Sequence, residues 1–260
     1  MKLADAPIFY TIGQIRFNPV LNISEFVPKI HERIRKRFPA VRQEELRRIQ
    51  MNFAGQDSKD AVGTFSAPRW SFADLKNSSG YVLYTDSLVF HTTAYETSAE
   101  FYESLISGLR LVDEIVGLSY VEGVGVRTLD AIMPSEGQSL NFYLNQQVLG
   151  FHGLIEGDLK HNITENVSVL TTGQQVSRVV ILHGTIGIPA DLFPISLTLA
   201  PKFQSLNGLH AILDLDHNRQ ERFEFDLDEI RERVRQVKQV VTQVFRSVVT
   251  PQALKAWHSN

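Results

Sequence analysis

The residues whose types are best suited to chemistry lie together at Asp214-Leu215-Asp216-His217. In an extended strand Asp214 and Asp216 project to one face, with His217 next in sequence. Two carboxylates and an imidazole are donors for a divalent cation, and a metal-dependent enzyme of phosphodiesterase type is the activity such a trio would serve. The competing reading is a plain antiparallel strand whose Leu213 and Leu215 face a core. A metal site needs further ligands, and no spacing in the chain supplies them. The eight histidines show no His-Glu-x-x-His pattern, and His91, His152 and His183 fall in strand-like segments where packing explains them better.

Other chemistries are excluded by missing parts. There is no glycine-rich loop ending in Gly-Lys-Ser or Gly-Lys-Thr, and no Gly-x-Ser-x-Gly elbow. Gly123-Val124-Gly125-Val126-Arg127 begins like a dinucleotide fingerprint but lacks the third glycine and the helix, so it reads as a strand with glycines at close contacts. With no cysteine, the chain has no disulfide scaffold, thiol nucleophile, cysteinyl zinc site or iron–sulfur cluster. No catalytic residue and no cofactor are therefore assigned.

Net charge is −3 over 260 residues, which argues against a general nucleic-acid coat. The charge is uneven, however. Between Lys29 and Arg48 eight basic residues, including Arg33, Arg35, Lys36 and Arg37, face three acidic ones. A nucleic acid bound through a basic helix over 24–38 is one reading, and a solvated helix face is the other.

The elements that must position these residues follow from periodicity. Pro7 to Val20 reads as a strand and turn, then Ser24 as the N-cap of an amphipathic helix that Pro39 ends. Short strands are expected at Gln50–Ala54, Arg69–Asp74, Gly80–Thr85 and Ser87–Tyr95, with turns at Asp57–Asp60 and Lys76–Gly80. Thr97 and Glu100 are spaced as a capping box before a helix that Gly117 closes, and a strand over Tyr120–Ile132 follows. Strand-like stretches recur at Leu140–Leu144, Val148–Glu156, Val167–Thr172, Arg178–Ile188 and Leu209–His217, with an irregular connection over Pro189–Gly208. Asp226 and Glu229 open a long helix with valines at heptad spacing, suited to packing on a sheet. The architecture expected is α+β: antiparallel sheet with amphipathic helices on one face, in two similar halves, 1–136 and 137–260.

Several pieces together resemble a sporadically distributed bacterial protein family of similar length with no assigned reaction. The carriers are Ala6-Pro7-Ile8, Ile15-Arg16-Phe17, Arg69-Trp70-Ser71-Phe72, Tyr95 with Phe101, Val124 to Asp130, Leu213 to Asp216, and the final helix from Phe245 to Thr250. Within the strand around Arg127 this chain has Thr128 and Asp130 where the family pattern has tyrosine and asparagine. The resemblance implies an accessory gene, of the kind found in mobile elements or phage defence.

The function expected is non-enzymatic recognition of a partner protein, with Arg33, Arg35, Lys36, Arg37, Arg127 and Asp130 as partner-binding candidates. The opening residues hold no apolar stretch of signal-peptide length, and no run approaches the roughly 18 residues of a membrane span, so a cytoplasmic location and no membrane partner are expected. The last long helix is expected to pack on its own sheet, with part of its face, wider than a coiled-coil seam requires, left to reach a second subunit; a homodimer is expected over a monomer because closed two-fold dimers are the commonest oligomers.

Overall fold

Strict alternation of Gln14, Ile15, Arg16 and Phe17 makes the opening segment a strand with one wet and one dry face, and the rest of the chain is built around it. The computed structural model describes residues 6–51 and 62–258. Along the first half run β1 (Ile8–Phe17), α1 (Ile23–Ile34), β2 (Ala40–Met51), β3 (Val62–Ala73), β4 (Ser79–Leu83), β5 (Ser87–Thr92), α2 (Ser98–Val116) and β6 (Tyr120–Ile132). The second half continues with α3 (Leu140–Tyr143), β7 (His161–Leu170), β8 (Gly173–Thr185), α4 (Pro201–Gln204), β9 (Asn207–Glu224), α5 (Leu227–Val248) and α6 (Pro251–His258).

All nine strands form one sheet in the order β2-β3-β4-β5-β1-β6-β9-β8-β7, and every neighbouring pair is antiparallel. One plan occurs twice, over β1–α2 and again over β6–α5. A first strand (β1 or β6) is followed by a meander whose last strand (β5 or β9) returns beside it, and a long helix (α2 or α5) comes next. The two first strands pair at the centre, so the sheet runs unbroken across residue 136.

Helices α1, α2 and α5 cover one face. Leu105, Leu109 and Val112 of α2 and Ile230, Val234 and Val237 of α5 are buried against β1, β5 and β6. Each such aliphatic side chain contributes about 1.5–3 kcal/mol relative to leaving it in water. Among the described residues the far face carries no long helix. There the irregular 186–206 connection and α4 close a smaller core of Phe9, Leu129, Leu197, Phe203 and Ile212.

Several expected boundaries shift. Helix α1 begins at Ile23 after Asn22, and ends at Ile34, with Arg35–Arg37 in a turn. Arg42 belongs to β2, which pairs along its length with β3; the charged run had concealed this edge strand. Leu140–Leu144 is one helical turn, since a run this short has no decisive period. Val148–Glu156 is not a strand: Gly150 and Gly153 take φ of +56° and +77°, which extended backbone cannot accommodate. Glu229 does not close a capping box. Asp226 accepts from the Asp228 and Glu229 amides, while the Glu229 carboxylate turns to Arg233. Residues 52–54 of the Gln50–Ala54 strand and the Asp57–Asp60 turn lie outside the described residues, as do the side chains of Arg47 and Arg48.

Candidate functional site

A cleft of about 620 Å³ opens where the central strands end beneath α2 and α5. Thr128 and Asp130 of β6 form part of its wall, with Thr93, Tyr95 and Ser98 from the β5–α2 connection. Val241, Thr242 and Phe245 of α5 and Lys202 and Phe203 of α4 complete it. Local sequence explains this placement. In β6, Val124, Val126, Thr128, Asp130 and Ile132 share one parity and so one face, the face under the helices. Asp130 is therefore an acid placed on a core face.

The Asp130 side chain is 4 % exposed and makes no hydrogen bond or ion pair among the described residues. Burial alone pushes its carboxyl up to about 8, because a carboxylate leaving water without a partner loses its hydration. Its charge in turn raises the nearby Tyr95 hydroxyl, although burial contributes most to that rise. Cations stand at the rim. Lys202 Nζ donates to the Ala6 carbonyl at 3.1 Å and sits over the Phe203 ring. Lys238 donates to Ser98 Oγ and is held below the usual lysine range by burial. The cleft thus combines a buried acid, several hydroxyls and an apolar wall.

The far face carries a ladder of charges. Arg127 Nε donates to Asp214 Oδ1 and Nη2 to Oδ2, each at 2.7 Å, and Arg127 also grips Asp191 on the 186–206 connection. Asp214 receives Arg178 at 3.4 Å, and Arg178 pairs with Glu165. Four adjacent strands, β7, β8, β9 and β6, are cross-linked in this way. Arg69 adds a second tie, pairing with Glu44 and donating to the Pro194 carbonyl at 2.9 Å. These contacts hold the connection down over the far-face core.

The structure therefore separates several candidates. Arg127 and Asp130, expected to act together, lie on opposite faces of β6. Asp214, Asp216 and His217 form no ligand set: Asp214 is saturated by Arg127, and His217 lies on the helical face beside Thr172. Alternation along β9 makes this unavoidable, since neighbours in a strand point apart. Among the described residues no three His, Asp or Glu side chains are grouped as metal ligands. Arg33 pairs with Glu114, and Arg37 donates to Ser104 Oγ at 3.2 Å and lies over Phe38. Arg35 and Lys36 are exposed in the turn after α1.

Sequence reasoning missed Thr242, Lys202 and Asp191, which come from distant segments. For Asp130 a signal existed, since it shares its parity with Val124, Val126 and Ile132. No helix among the described residues is long and apolar enough to cross a membrane. No protein-family model matches the chain, and no curated protein matches it.

Proposed function

We propose that the chain is a non-enzymatic recognition protein that binds a partner protein by taking a basic side chain of that partner into the cleft above Asp130. One observation carries the reading: a carboxyl only 4 % exposed and without a partner of its own lines an open cleft. An incoming ammonium or guanidinium supplies the countercharge that lets the acid ionise in place. Val241, Phe245 and Phe203 suit the aliphatic stem of a lysine, and Thr128, Thr242 and Thr93 offer hydroxyls around its head. The nucleic-acid reading through the basic helix has less support, because Arg33 and Arg37 are already engaged within the fold.

The test uses two blocked amino acids of equal length, acetyl-lysine-methylamide and acetyl-norleucine-methylamide, followed by NMR on the full chain. Binding of the lysine probe, tightening about tenfold per pH unit until near pH 8 and lost in Asp130→Asn, is the expected result. Equal responses to both probes, or a response surviving Asp130→Asn, overturn the reading. Tyr95 lies near the acid and shares the cleft wall with Glu96 and Lys202, so the Asp130→Asn profile serves as the reference.

A further inference from the structure

The two edges of the sheet differ in kind. Edge strands expose unpaired amides and carbonyls, and soluble proteins ordinarily blunt them with charge, proline or bulges. Strand β2 carries Arg42, Glu44, Glu45, Arg47 and Arg48 along its length. Strand β7, at the opposite edge, has neither proline nor lysine, and its one acid, Glu165, is already neutralised by Arg178.

Strand β7 carries most of its exposed apolar residues on one face, around Glu165; its other face holds Asn162, Thr164, Asn166 and Ser168, with Leu170 at its end. Ile163, Val167 and Val169 share the far face and are 58 %, 52 % and 84 % exposed. Beside the other face, the 150–157 segment is tied to β7 by Asn162, which donates to the Leu149 carbonyl at 3.0 Å and accepts from the Phe151 amide at 3.2 Å. That segment exposes Phe151, Leu154 and Ile155 at 72 %, 69 % and 74 %.

We infer that β7 is a homodimer interface, along which two copies of this chain join edge to edge and antiparallel into one continuous sheet. Three features select a second copy as occupant. The one acid of β7, Glu165, is paired with Arg178 of β8, so two copies of the strand can meet without net repulsion. Ile163 and Val169 lie symmetrically about Asn166, so an antiparallel two-fold centred there sets Ile163 of one copy against Val169 of the other, and Val167 against the neutralised Glu165. Exposed Ile163, Val167 and Val169 on β7 and Phe151, Leu154 and Ile155 on the segment tied to it flank this edge. The α5 face, in contrast, is used within the chain: Val241 and Val248 are buried, and Phe245 packs on Trp257 at 6.1 Å between ring centres.

Light scattering on the full chain over a hundredfold dilution series tests this, beside Val169→Lys and two single-cysteine variants made possible by the cysteine-free background. In the centred register Asn166 faces its own copy at the Cα separation of a close antiparallel pair, about 4.5–5.5 Å, which a disulfide spans. The expected result is a mass near twice 29.4 kDa, at least tenfold weaker association for Val169→Lys, and a covalent dimer on mild oxidation of Asn166→Cys but not of the α1 control Ser24→Cys. A constant monomer mass overturns the inference. So does a dimer indifferent to Val169→Lys whose Asn166→Cys cross-links no faster than the control. Val169 is a solvent-facing side chain, so the lysine leaves the monomer folded, and circular dichroism verifies that.

Discussion

Arg127 reaches diagonally across the β6–β9 pair to clasp both oxygens of Asp214, although Asp216 is its direct cross-strand neighbour. Asp214 is 2 % exposed, so the contact is a buried ion pair whose partners cannot be removed singly without leaving a charge behind. Arg127→Met is expected to destabilise the fold by about 3–5 kcal/mol, measured by urea unfolding. The same variant frees Asp191, and limited proteolysis should then cut within 186–206 sooner. Asp191→Asn alone, at an exposed partner, should cost about 1 kcal/mol or less. An Arg127→Met variant as stable as the parent would remove the lock from the account.

Asp130 sets the alkaline flank of stability. Below pH 4 its carboxyl is protonated in both folded and unfolded chains and has no effect. Between pH 4 and about 8 the unfolded chain releases this proton and the native chain keeps it, so stability falls by up to about 1.4 kcal/mol per pH unit and then levels. Asp130→Asn should remove that slope, raising Tm at pH 8 while changing little at pH 4. A profile parallel to the parent would show that Asp130 is not held protonated.

His91 acts on the acid side. Burial first, and the Arg69 charge second, hold its imidazole down at about 3, with the Tyr10 hydroxyl 2.7 Å from Nδ1. Above pH 6.5 the ring is neutral in both states. As pH falls from 6.5 towards 3 only the unfolded chain takes the proton, and stability declines. His91→Gln keeps a partner for Tyr10 without titrating, and should flatten the acid limb of a thermal-melt series.

Gly108 lies inside α2, where alanine would ordinarily be favoured by about 1 kcal/mol. A Cβ there would stand 2.3 Å from Tyr81 Cε1, and Tyr81 is fixed by its hydroxyl donating to the Ser104 carbonyl at 2.6 Å. Gly108→Ala is therefore expected to destabilise by about 1–3 kcal/mol in chemical denaturation. A stabilised variant would mean that Tyr81 moves aside freely.

Local signals in the chain were sufficient wherever one residue's neighbours decide its state. Tyr120–Ile132 is a strand and Asp226 an N-cap because alternation and a short acceptor side chain act within a few residues. The α+β class follows from the same signals, since stretches of period two separated by amphipathic helices leave few other layerings. Tertiary structure alone decided the rest. Strand β2 was hidden because charges on an edge strand mimic those on a helix surface, and only pairing with β3 separates the two. The Asp214, Asp216 and His217 trio was legible as residue types. Its fate depended on Arg127, 87 positions away in sequence, being brought across the sheet onto Asp214. Asp130 was legible as an odd acid in an apolar strand. That it meets a cleft instead of a cation follows from how α2, α5 and α4 close over it, and contacts between such distant segments leave no periodic trace in the chain.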